Sequence, residues 1–195
     1  MQRLRVLCLH GYHGSAETLR RQLSPLASSL EAVADFVCVD APALAEDDFG
    51  WWHATEDAAG VHYRGLTRSR EALVAYGSFD GVLGFSQGAA LAALLVAVPT
   101  TLRFAIIIGG FAIRDPRHAP VFEAAGAIDV PSLHVIGRSD VIVSPQASHF
   151  LASRFRAPMI AEHDGGHVIA ATDAVRGAAL AFLQDPTPLN VIAAD

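Results

Sequence analysis

Asp80-Gly81-Val82-Leu83-Gly84-Phe85-Ser86-Gln87-Gly88-Ala89 passes within ten residues from a strand pattern to a helical one. Between the two lies a Gly-x-Ser-x-Gly turn, Gly84 to Gly88. A strand that turns abruptly into a helix at a serine holds that serine in a strained backbone conformation. Its neighbours must therefore be small, and glycines at 84 and 88 permit the close packing. The start of the helix beneath Ser86 offers unpaired N–H groups and a positive dipole end to a developing negative charge. In this setting the pattern reads as a nucleophile elbow with Ser86 at its tip; the bland alternative is a glycine-rich structural turn.

A serine hydroxyl is a poor nucleophile without a base, and the base needs an orienting carboxylate. In an elbow fold the acid and then the histidine follow the serine along the chain. Nine histidines are present. His134 falls inside a strand pattern and His149 inside a helical one. His167 closes Asp164-Gly165-Gly166-His167, a flexible turn after the last strand, from which a base can reach back over Ser86. His163, which ends that strand, is the second choice. For the acid, Asp140 follows Gly137-Arg138-Ser139 at the end of another strand, and Asp115 holds the equivalent place one strand earlier. Asp164 stands too near His167 in sequence. His163 and His167 lack a third ligand at sensible spacing, so no metal is expected. The second part of an oxyanion site should come from the loop after the first strand, Leu9-His10-Gly11-Tyr12-His13-Gly14-Ser15. The backbone N–H groups of Tyr12 and Gln87 are assigned to it. His10 either orients this loop by hydrogen bonding or is a core histidine.

Outward from the elbow, short apolar runs alternate with amphipathic segments. Strands are predicted near 4–9, 35–39, 81–85, 104–109, 132–137 and 157–162. They are apolar almost throughout, as parallel strands buried on both faces are. Helices are predicted near 15–30, 65–77, 87–98, 117–126, 144–154 and 168–184, with Ser15 and Ser144 as N-caps and Pro145 in a first turn. Such alternation specifies an α/β sheet with right-handed crossovers. One connection is long: residues 40–64 carry Phe49, Trp51 and Trp52. It emerges at the sheet edge where open α/β folds bind ligands. These three aromatics are expected to line a substrate pocket under a partial lid, or else to fasten the loop to the body.

Composition narrows the function further. The 195 residues are 52% hydrophobic and 17% charged, as in a globular chain, and the formal charge of −6 argues against nucleic acid or an anionic membrane as partner. Every basic residue is arginine, which excludes a Schiff-base lysine, a P-loop lysine and a Ser-Lys dyad. The sole asparagine is Asn190. No cofactor is implied. Cys8 and Cys38 sit in apolar runs and read as free thiols in a reducing cytoplasm. No signal peptide or spanning segment is visible, so a soluble intracellular protein is expected.

Taken together, Arg5-Val6-Leu7-Cys8-Leu9-His10-Gly11-Tyr12, Phe79 to Ala90, the Gly137-to-Asp140 turn and Gly165-Gly166-His167 resemble the FSH-type family of serine hydrolases. These are small α/β-hydrolases that include LovG-like esterases and thioesterases, and the resemblance spans roughly residues 3–184. It implies an esterase or thioesterase with Ser86, Asp140 and His167 as a triad, and a pocket lined by the Trp51-Trp52 region. The Phe-Ser-Gln-Gly segment is also shared with acyl-protein thioesterases and carboxylesterases. The expectation is one α/β-hydrolase domain over 1–195, with 40–64 as pocket loop and 186–195 as surface tail. Its six mostly parallel strands should run in the order 2-1-3-4-5-6, flanked by helices, with no separate cap. It should cleave a small to medium ester or thioester. An acyltransferase using the same triad and a non-catalytic binding protein remain alternatives.

Overall fold

The computed structural model describes residues 3–42, 50–58, 60–124 and 126–186. Six parallel strands form the main sheet: β1 (Leu4–Leu9), β2 (Ala34–Val39), β5 (Gly81–Phe85), β6 (Phe104–Ile108), β7 (Ser132–Gly137) and β8 (Pro158–His163). Their spatial order is β2-β1-β5-β6-β7-β8. That is the expected 2-1-3-4-5-6 once two further strands, β3 (His53–Asp57) and β4 (Gly60–Arg64), are set aside. Those two pair antiparallel as a separate hairpin inside the long connection.

Helices cover both faces. On one side α1 (Ala16–Ala27) and α5 (Asp173–Gln184) close a core with Leu19, Leu23, Leu83, Ile106, Val135 and Phe182. On the other, α2 (Leu66–Val74), α3 (Gln87–Ala97) and α4 (Pro145–Ala152) pack over Leu9, Val82, Ile107 and Leu91. Three helices start where their caps dictate. Ser15, Ser144 and Thr172 each accept a backbone N–H from three residues on, Thr18, Ala147 and Val175. Helix α3 is apolar on every side because it lies across the centre of the sheet, with nine of its residues buried.

Two expectations are corrected. The helix expected over 117–126 is only a short 3-10 turn, Ala119–Phe122, with Pro120 in its first turn and Gly126 already in the left-handed region (φ 65°). The segment 168–172 precedes α5 rather than opening it, because Thr172 is the cap. No helix among the described residues is long and apolar enough to cross a membrane.

Candidate active site

Ser86 stands at the N-cap of α3 with φ 55° and ψ −117°, and its side chain makes no capping bond. Such a backbone costs of order 1–3 kcal/mol and persists only where the surroundings enforce it. Here they do. The Ser86 N–H is tied to the Ile108 carbonyl at 2.9 Å. A Cβ on Gly84 would lie 2.2 Å from the Gly88 carbonyl oxygen, and one on Gly88 would lie 2.2 Å from that of Leu9. Both flanking glycines are therefore dictated by backbone running against backbone.

His167 and Asp140 are brought together from two loops at the same edge. His167 Nδ1 lies 2.6 Å from Asp140 Oδ2. The other carboxylate oxygen accepts the N–H groups of Ile142 and Val143, both at 2.9 Å. With Nδ1 occupied, Nε2 is the ring nitrogen left for another partner. Burial alone would raise the Asp140 carboxyl, but the His167 bond and the two N–H groups outweigh it and hold it below the usual carboxylate range. The His167 ring lies 4.8 Å from that of Phe85, the residue before Ser86.

The other titratable candidates have different surroundings. Asp115 is buried and gripped by Arg117 at 2.6 and 3.0 Å, and this hydrogen bonding lowers its carboxyl. His163 is buried beneath the glycine turn, with burial depressing its pKa. His149 faces outward to Glu162 at 2.9 Å, and His134 is enclosed in β7. His10 is buried and spans two loops: Nδ1–H donates to the Gly11 carbonyl at 2.7 Å and Nε2 accepts the Ala41 N–H at 3.0 Å. Its role is thus to join the loop after β1 to the segment after β2. That loop also runs close to the serine, since a Cβ on Gly11 would come within 3.3 Å of Ser86 Cβ.

A cavity of about 650 Å³ opens onto Ser86 and Gln87. Tyr12, Trp52, His53 and Tyr63 form one wall; Phe111, Arg114 and the run Val141-Ile142-Val143 form much of the rest. Trp52 stacks on Tyr63 with centroids 5.2 Å apart and planes 8° apart. Trp51, expected in the same wall, does not line the cavity. It is fully buried, its indole N–H donating to the His10 carbonyl at 2.8 Å. Phe49 lies outside the described residues.

Two features escaped the sequence reading. The Gln87 side chain is a clamp: Oε1 accepts the Trp51 N–H and Nε2 donates to the Trp52 carbonyl, both at 2.8 Å. The elbow thereby holds the loop that walls the cavity. The apolar lip at Val141 and Ile142, 91% and 72% exposed, was also unforeseen. Three apolar residues directly after Asp140, in a turn rather than a strand, were the available signal.

The chain is similar to known proteins in both fold and sequence. Among solved structures, Arabidopsis thaliana SOBER1 superposes with a TM-score of 0.66 at 18% identity, covering 95% of this chain and 99% of that one. Zea mays acyl-protein thioesterase 2 gives 0.63 at 18%, covering 94% and 95%. At those identities the likeness is one of fold, the α/β-hydrolase arrangement. Closer in sequence are Esterase OVCA2 of Mus musculus, 35% identical over 93% of this chain and 96% of its own, and Esterase CG5412 of Drosophila melanogaster, 31% identical over 94% and 75%. The family model described as serine hydrolase (FSH1) matches residues 1–179. With an elbow serine, an adjoining His–Asp pair and that match over nearly its whole length, the chain belongs to the FSH1 family of serine hydrolases.

Proposed function

We propose that the protein hydrolyses small to medium carboxylic esters or thioesters through Ser86, His167 and Asp140, by way of an acyl-enzyme. The observation that carries this reading is the 2.6 Å bond from His167 Nδ1 to Asp140, with the His167 ring 4.8 Å from that of Phe85, the residue before a serine whose backbone is strained and whose hydroxyl is not spent on capping. Asp140 fixes the imidazole with its proton on Nδ1. His167 Nε2 takes the Ser86 proton as Oγ attacks the acyl carbonyl, and the backbone N–H groups of Tyr12 and Gln87 hold the oxyanion. His167 then returns the proton to the leaving alcohol or thiol. Water enters and gives a proton to the same nitrogen as it attacks the acyl carbon; the Ser86–acyl bond breaks, His167 returns the proton to Ser86 Oγ, and the acid leaves.

The cavity supports an apolar acyl group. Aromatic and aliphatic side chains make up most of its wall, beside Arg114, His53 and Gln87, and each buried methylene contributes about 0.8 kcal/mol, or roughly fourfold in kcat/KM, until the space is filled. The esterase names of the sequence relatives and the thioesterase among the structural neighbours favour the same bond classes. The test is kcat/KM for p-nitrophenyl esters and acyl-CoA thioesters from acetyl to palmitoyl. An optimum at short to medium length supports the reading. An optimum at palmitoyl, or no turnover of either class, overturns it.

A further inference from the structure

At the opposite side of the sheet from the hydrolase site's long loop, the molecule carries a second reactive pair. Cys8 of β1 and Cys38 of β2 are direct register partners in adjacent parallel strands. Neighbouring strands run about 4.8 Å apart, inside the roughly 4.4–6.8 Å range of Cα separations that a disulfide bridges. The two positions are not equivalent. β2 is the edge strand and β1 lies inboard of it. Cys8 is wholly buried, whereas Cys38 is partly exposed and lines a groove of about 360 Å³ between α1 and β2. The groove is also walled by Arg3, Arg20, Ser24, Ser28 and Glu31, and its volume falls in the range of small-molecule sites. Arg3 is committed to Asp35 at 2.9 Å, while the positive charge of Arg20 acts on Cys38.

We propose that Cys38 is a thiol-exchange site that reacts with small disulfides entering this groove, and that Cys8 is its resolving thiol. The hydrogen bond from Cys8 lowers the Cys38 thiol, burial opposes this, and the Arg20 charge assists it. Burial raises Cys8. The outer cysteine is thus the better thiolate and the inner one stays protonated until it is needed. In the first step the Cys38 thiolate attacks one sulfur of the small disulfide; a new S–S bond forms and a small thiolate leaves. In the second, Cys8 gives its proton to that thiolate and attacks the Cys38 sulfur. The Cys8–Cys38 bond forms, the bond from Cys38 to the small group breaks, and the second small thiolate leaves into the groove, taking from solvent the proton that Cys38 gave up on ionising. Two protein thiols are oxidised by two electrons, and one small disulfide is reduced to two thiols.

The experiment treats the folded, reduced protein with oxidised glutathione and reads intact mass and free thiols. Wild type should lose both thiols and two hydrogens and retain no glutathione. Cys8→Ala should instead keep one glutathionyl group on Cys38, and Arg20→Gln should slow the first step several-fold. Cys38→Ala should not react. A stable glutathione adduct on wild type would remove Cys8 as the resolving thiol. Two thiols still free in the treated wild-type protein, shown folded by circular dichroism, would overturn the proposal altogether. Neither outcome bears on Ser86, since the reaction does not use it.

Discussion

At the scale of single residues, the account turns on which carboxylate serves His167. Asp140 spends one oxygen on two backbone N–H groups and the other on the imidazole, so it orients the ring while itself held in place. Asp115 is as deeply buried but is spent on Arg117. Asp140→Asn should therefore lower kcat by about 10⁴-fold, because the amide stabilises the wrong imidazole tautomer. Asp115→Asn should leave kcat within a few-fold and lower the melting temperature, since it weakens the hydrogen bonds that a buried carboxylate makes to the half-exposed Arg117. Steady-state assays of both variants decide it; a dead Asp115→Asn beside an active Asp140→Asn would reverse the assignment. Sequence made both residues visible as loop acids after strands. The family resemblance also paired Asp140 with His167, but nothing revealed the partner of Asp115, because the arginine that neutralises it is two positions away, at a spacing with no periodic signature.

At the scale of elements, the strands of the main sheet were legible because burial on both faces demands unbroken apolar runs such as Phe104–Ile108. The β3–β4 hairpin was not. Its strands read His-Ala-Thr-Glu-Asp and Gly-Val-His-Tyr-Arg, largely polar, with Tyr63 the one buried side chain, so no alternation marks them. What fixes the approach to this hairpin is the Gln87 clamp on Trp51 and Trp52, a contact between residues 35 and 36 positions apart. The two tryptophans then part in function. Trp51→Ala should cost about 3–5 kcal/mol of stability, as emptying a large buried site does, with the acyl-length profile unchanged. Trp52→Leu should widen the cavity wall and move the acyl-length optimum of kcat/KM to longer chains. Urea unfolding and the ester series, run on both variants, check this. A profile unchanged in Trp52→Leu would show that the cavity is not the acyl site.

At the scale of the whole molecule, buried histidines couple stability to pH. His134 is enclosed in β7 with Nε2 bonded to Ser132 and Nδ1 without a partner. Burial, then the charge of His149, depresses it to about 3. In the unfolded chain a histidine takes up its proton near pH 6.5. Between those values the unfolded state binds the additional proton, so this contribution is complete above about pH 6.5 and is lost as pH falls, at about 1.4 kcal/mol per unit. His10, His118 and His163, also lowered by burial, act with the same sign. From pH 7 to pH 5 unfolding free energy should drop, and His134→Gln should shrink that drop by about 2 kcal/mol. Chemical denaturation at the two pH values measures it; an equal drop in variant and wild type contradicts the depressed pKa.

The same whole-molecule view explains why the site was readable before its walls were. The elbow, the acid turn and the histidine turn each end or begin a buried strand or helix, so each carries its own local pattern. The cavity is assembled from side chains of widely separated segments, so beyond the tryptophan pair and the apolar run after Asp140 its walls carry no pattern that joins them. Whether Ser86 carries the acyl group is read by mass spectrometry of the acid-quenched protein during turnover of a p-nitrophenyl ester. Wild type should show an acyl group on the peptide bearing Ser86. Ser86→Ala should show none and hydrolyse the ester at least about 10³-fold more slowly. An acyl group on a different residue, or a folded Ser86→Ala with near-normal turnover, would contradict the account.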